Sequence, residues 1–150
     1  MINYKWNSKF QEVIESQGII TNEVDLPASL KLFLNKGIVQ KDDCFYFKDF
    51  ACNYSEEDFY DKTGSECFNN KFYIDNFVNV DINEEIQIGV TFVKTLAKLL
   101  ESYNYSFCII LGYHDESIDI RFHKVRENEI WLMDNIDEYE EAIYLAYVNE

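Results

Sequence analysis

The chain has 150 residues, enough for one domain that buries roughly two thirds of its unfolded surface. Hydrophobic residues make up 47% and aromatics 17%, which excludes a disordered polyelectrolyte in spite of a formal net charge of −15. No apolar run reaches the roughly eighteen residues of a membrane span, and MINYKWNSKF lacks the apolar centre of a secretory signal, so a cytoplasmic protein is expected.

Ser8 to Gln17 is predicted as a short helix, with Phe10, Val13 and Ile14 inward and Gly18 as its C-cap. In DLPASLKLFLNKG, Asp25 stands near the cap, Pro27 in the first turn and Gly37 at the stop. That pattern predicts a second helix with Leu30, Phe33 and Leu34 on one face. Ile38 to Gln40 and the aromatic run from Cys44 then read as short strands joined by a hairpin at Lys41 to Asp43. The polar stretch from Ala51 to Asn70 reads as a long surface loop with at most one helical turn, and Phe72 to Val80 alternates like a strand.

The clearest helix runs from Asp81 to Tyr103. Ile86, Gly89, Val90, Val93, Leu96, Ala97, Leu100 and Tyr103 recur at steps of three and four, which places one apolar stripe on a single face. Asp81 and Glu84 are spaced as a capping pair. Gly89 costs about 1 kcal/mol against Ala inside a helix, so its place on the stripe predicts close packing against another backbone, expected to be a sheet.

After this helix, FCIILGYHDESIDIRFHKV predicts a hairpin closed by a four-residue HDES loop. Tyr113 faces Ile118, Leu111 faces Ile120 and Ile109 faces Phe122, all on the core side. Cys108, Ile110, Gly112, Asp119, Arg121 and His123 fall on the other, mixed side. In the tail, Asn135 and Glu138 are spaced to cap a short helical turn. AIYLAYV then fits a strand better than a helix, although Ile136, Tyr139, Ile143 and Tyr147 also suit helical spacing. The expected fold is one α+β domain over residues 1–150, a mostly antiparallel sheet with the long helix on one face and two shorter N-terminal helices.

Motifs for chemistry are missing. Cys44, Cys52, Cys67 and Cys108 are too widely spaced for a zinc or redox pair and read as buried thiols. His114 and His123 stand some 16 Å apart at roughly 3.3 Å per strand residue, too far to share a metal or one substrate atom, and read as surface histidines. Cys108 faces His123, but no third group orients them, so an inert thiol is expected. The acidic clusters lack the spacing and glycine of an EF-hand, and no GxGxxG, GxxxxGK[ST], GxSxG or HExxH occurs. No catalytic residue, metal or cofactor is therefore expected.

The acidity is uneven. Residues 1–50 carry 6 basic and 7 acidic side chains, 51–100 carry 4 and 9, and 101–150 carry 3 and 12. Such a field repels nucleic acid and anionic membranes and attracts a basic partner. The densest patch is Asp134, Asp137, Glu138, Glu140 and Glu141, compensated either within the fold by Arg121 and Arg126 or by a partner. Trp131 beside it is an apolar anchor or, as the commoner case, a core residue. Glu56, Glu57, Asp58 and Asp61 form the reserve surface.

From Arg121 to Ile143 the chain reads RFHKVRENEIWLMDNIDEYEEAI. Its RFHKxRExExWL segment and the following DxxxxYxEEA segment resemble small bacterial immunity proteins of contact-dependent growth inhibition and related polymorphic toxin systems. The pattern rests on Arg121, His123, Arg126, Trp131 and Tyr139 among others; Asn128 and Ile130 depart from it. The resemblance implies a protein without enzymatic activity that binds and neutralises one toxin domain, often a basic nuclease. Other classes remain open: a small enzyme with an unrecognised site, or a regulatory interaction module.

Overall fold

The computed structural model describes residues 1–19, 22–53 and 61–150. In chain order the elements are β1 (Ile2–Trp6), α1 (Ser8–Gln17), α2 (Ala28–Asn35), β2 (Ile38–Lys41), β3 (Cys44–Phe47), α3 (Lys62–Asn69), β4 (Phe72–Tyr73), α4 (Ile82–Glu101), β5 (Phe107–His114), β6 (Ser117–Lys124) and β7 (Ala142–Val148). A five-stranded antiparallel sheet runs in the order β1-β7-β5-β6-β4, and β2 and β3 form a separate hairpin. The architecture is α+β, and no helix among the described residues is long and apolar enough to cross a membrane.

Apolar alternation sets the sheet register. β5 and β6 pair Tyr113 with Ile118, Leu111 with Ile120 and Ile109 with Phe122, because a slip of one residue would turn Asp119 and Arg121 into the core. His114 also pairs with Ser117, so the turn proper is Asp115 and Glu116, at φ 51° and 57°. The other flank of β5 pairs with β7, so the tail is a strand from Ala142, preceded by a short 3-10 turn at Ile136–Glu138. Asn135 caps that turn by accepting from Asp137 N at 3.1 Å, not through a reciprocal bond with the Glu138 side chain. Strand β1 has the same alternation, Ile2, Tyr4 and Trp6 against Asn3 and Lys5, and completes the edge by pairing with β7.

Helix α4 lies across the core side of this sheet. Asp81 accepts from Glu84 N at 2.9 Å and starts it, and Ile86, Gly89, Val90, Val93, Leu96, Ala97 and Leu100 are buried, with Tyr103 partly so. A Cβ on Gly89 would stand 3.0 Å from Leu111 Cδ1 and 3.3 Å from Ile118 Cγ2. The close approach is therefore to side chains of β5 and β6 rather than to a backbone. Phe92 is also fully buried, beyond the predicted stripe, because Phe33 of α2, Phe47 of β3 and Phe72 of β4 pack on that flank.

Two expectations fail here. Within the predicted loop, residues 62–69 form α3, begun by Asp61, whose side chain accepts from Gly64 N. Its polarity misleads because Glu66 and Asn70, one turn apart on one face, are buried as adaptors between strands. Glu66 accepts from Phe45 N (2.8 Å) and Lys124 N (3.2 Å); Asn70 donates to Phe45 O (2.8 Å) and Phe122 O (3.2 Å) and accepts from Phe47 N (3.0 Å). They satisfy the backbone where β4 is too short to cover β6, which would otherwise be an open edge. The predicted strand from Phe72 to Val80 stops after Tyr73, where a 3-10 turn over Ile74–Asn76 carries Ile74 under α4.

Candidate functional site

The sheet face away from α4 is roofed by the segment between β6 and β7. Ile136 is buried there and packs with Cys108, Ile110, Ile143 and Leu145. Asn7, 1% exposed, locks the roof: its amide donates to Ile136 O (3.1 Å) and Glu141 O (2.9 Å) and accepts from Phe10 N (3.0 Å) and Ile143 N (3.0 Å). All four hydrogen-bonding positions of one side chain are used, so the start of α1 and the acidic segment are held together.

The predicted acidic patch is placed by that lock, and its members differ. Asp137 accepts from Ser8 N at 2.7 Å at the start of α1, and this bond, with Lys9 and Lys5 nearby, holds its carboxyl below the usual range. Lys9 Nζ reaches the carbonyls of Asp137 (3.5 Å) and Tyr139, and Lys5 Nζ that of Asp134 (3.5 Å). Internal compensation thus comes from α1 and β1. The expected donors, Arg121 and Arg126, pair elsewhere, with Asp119 and with Glu66, Asp43 and Glu129. Asp134, Glu138, Glu140 and Glu141 make no ion pair among the described residues.

Glu140 and Glu141 open onto a broad groove of about 840 Å³ between α1 and the β5–β6 turn. Its walls add Glu12, Glu15 and Asp115, against Lys9 and His114. Glu12 and Glu15 come from α1 and Asp115 from the β5–β6 turn, both far from Glu140 in sequence; the one local signal is that Glu12 and Glu15 stand on the polar face of a helix whose other face is apolar. Of the reserve surface, Glu56, Glu57 and Asp58 lie outside the described residues, and Asp61 is a helix cap.

Around the corner of Glu141 lies a narrower cleft of about 240 Å³, with Ile110, Gly112, Asp119 and Arg121 from the sheet and Trp131, Tyr139 and Glu141 from the roof. Trp131 is 41% exposed rather than a core residue, and the Arg121 guanidinium lies 5.4 Å from its ring centre. Tyr139 Oη accepts from Met133 N at 3.0 Å and fixes the rim. Burial pushes the Asp119 carboxyl above its ordinary value, opposed by Arg121, Lys71 and His114.

His123, expected at the surface, is buried, and burial pushes its imidazole down; Nδ1 sits 2.8 Å from Lys124 O. It does face Cys108 across the hairpin, but burial raises that thiol to about 12, so no thiolate forms there near neutral pH. Cys44 and Cys67 are likewise free and buried, while the side chain of Cys52 lies outside what the structure describes. Among the described residues no three His, Cys, Asp or Glu side chains are grouped to hold a metal ion.

A family model matches residues 5–150, all but the first four residues of the chain. The chain belongs to the Uncharacterized protein PM0498 family. No curated protein and no solved structure matches it. In this PM0498-family chain the acidic groove and the Asp119 cleft both fall within the matched span.

Proposed function

We propose that this PM0498-family protein is an immunity protein, which binds a basic toxin domain through the acidic groove and blocks it without chemistry of its own. The observation that carries the reading is the convergence of Glu12, Glu15, Asp115, Glu140 and Glu141 on one concave surface, with Lys9 as the balancing cation among its lining residues. Such a surface steers a basic partner to itself, and a nuclease domain presents a basic surface because its substrate is polyanionic. The resemblance of Arg121 to Ile143 to immunity proteins points the same way. The site of action is then the cytoplasm of the producing cell, with no nucleic acid, membrane or cofactor taking part.

The test is binding, by titration calorimetry at two salt concentrations, of the toxin-type domain encoded beside the gene. Glu12→Lys, Glu15→Lys and Glu140→Lys are combined because none of them holds the fold, whereas Asp137 is left intact for Ser8. The triple variant is expected to lose association and its salt dependence. Unchanged affinity in a folded variant would remove the groove from consideration.

A further inference from the structure

The cleft behind Glu141 holds a carboxylate, that of Asp119, without a hydrogen bond among the described residues. Asp119 is 5% exposed, yet no donor among the described residues lies within hydrogen-bond distance of its carboxylate, and the nearest cation, Arg121 Nη2, is 3.8 Å away. Burying a carboxylate in this way is costly unless something donates to it. The Arg121 guanidinium itself lies 5.4 Å from the Trp131 ring centre. On the facing wall, Glu141 makes no ion pair among the described residues. Gly112 forms the floor: a methyl group there would stand 3.3 Å from Glu141 Oε2 and 3.4 Å from both Asp119 oxygens. The missing side chain therefore leaves a hole into which two carboxylates point from opposite elements.

We infer that this cleft is a binding site for a single primary ammonium or guanidinium group. The lining itself carries two carboxylates against one guanidinium, which favours a cation over an anion. An ammonium or guanidinium supplies the several donors that both carboxylates lack, in the geometry of a charge-assisted hydrogen bond. A volume of about 240 Å³ suits one such group on a short alkyl stem, with Trp131 and Tyr139 as an aromatic rim for the stem and Ile110 below it. The cleft shares only Glu141 with the acidic groove, and a protein that binds no toxin would still take up the amine. The same chemistry reaches the cleft as a free amine or as a lysine or arginine side chain.

The experiment is an NMR titration of the ¹⁵N-labelled full chain with agmatine and with n-butylammonium, n-butanol serving as the uncharged control, at about 0.15 M salt so that diffuse attraction is screened. Saturable shifts centred on the Gly112 amide and the Trp131 indole N–H are expected for both cations and not for the alcohol. Asp119→Asn is expected to weaken them at least about tenfold, the size of one lost charge-assisted hydrogen bond. Gly112→Ala keeps every charge but fills the hole; it too should abolish saturation, and it carries the test should the Asp119 variant not fold. A short arginine-containing peptide with blocked ends separates the sources: binding as tight as agmatine assigns a protein side chain, and no binding assigns a free amine. Shifts spread over Glu12, Glu15 and Glu140, or unchanged in both folded variants, would overturn the inference.

Discussion

Arg126 and Arg121 belong to one stretch of sequence and each stands beside a buried carboxylate, yet their surroundings differ. Glu66 opposite Arg126 is saturated: Arg126 Nη1 donates to it at 2.5 Å, and Phe45 N and Lys124 N complete the set. Arg126 also donates to Thr63 Oγ1 (3.0 Å) and Asp43 O (2.8 Å), leaving only Nε without a hydrogen bond. Asp119 opposite Arg121 has a 3.8 Å ion pair and, among the described residues, no hydrogen bond. Burial raises both carboxyls above their ordinary values, so desolvation alone does not tell them apart. What separates them is the count of donors, and it sorts the roles: the saturated pair joins α3, β3 and β6, and the unsaturated one lines a cleft.

The largest effect expected from this contrast is on stability. Arg126→Ala leaves Glu66 buried without its counter-charge and should cost about 3–5 kcal/mol in urea unfolding, the usual range when one partner of a buried pair is removed. A loss near zero would mean that the network is not what holds α3 to the sheet. Double-mutant cycles sharpen the comparison. The Arg126–Glu66 coupling should be of the order of a few kcal/mol, and the Arg121–Asp119 coupling below about 1 kcal/mol. Equal couplings would erase the distinction drawn from the hydrogen bonds.

How much of this was legible in the sequence follows from the range of the forces involved. The α4 stripe and the β5–β6 register are legible because local periodicity dictates which residues share the core face; β7, buried on both faces, is legible from its β-branched and aromatic content. α3 is not, since its buried residues are Thr63, Ser65, Glu66 and Cys67, and polar side chains signal surface until their distant partners are known. β1 is not legible although Ile2, Tyr4 and Trp6 alternate, because its pairing with β7 spans almost the whole chain. For the site, the density of acids around Glu140 was visible in sequence, whereas Glu12, Glu15 and Asp115 join it only through the lock at Asn7. Of the five motif residues, His123 is buried and Arg126 part-buried in structural contacts, and Arg121, Trp131 and Tyr139 line the cleft, a division that no spacing rule encodes.

The smallest predicted effect concerns the unsaturated carboxylate, and its sign discriminates. Burial raises the folded-state pKa of Asp119 above its unfolded value, so the native protein holds more protons than the unfolded chain between those two values. The stabilising contribution of the protonated form is complete below the unfolded pKa, and it is lost as pH rises through the folded one. Asp119→Asn cannot titrate. Relative to the parent it should gain thermal stability as pH is raised from the unfolded-state pKa through the folded-state one and then level off. Arg121, Lys71 and His114 act on the same carboxyl, so the comparison belongs in both Arg121→Met and parent backgrounds. Without Arg121 opposing it, the folded pKa rises further and the gain from Asp119→Asn should extend to higher pH. If the variant instead loses stability as pH rises, the Asp119 carboxylate is a net stabilising partner of Arg121. The cleft would then be a structural ion pair of the same kind as Glu66 and Arg126.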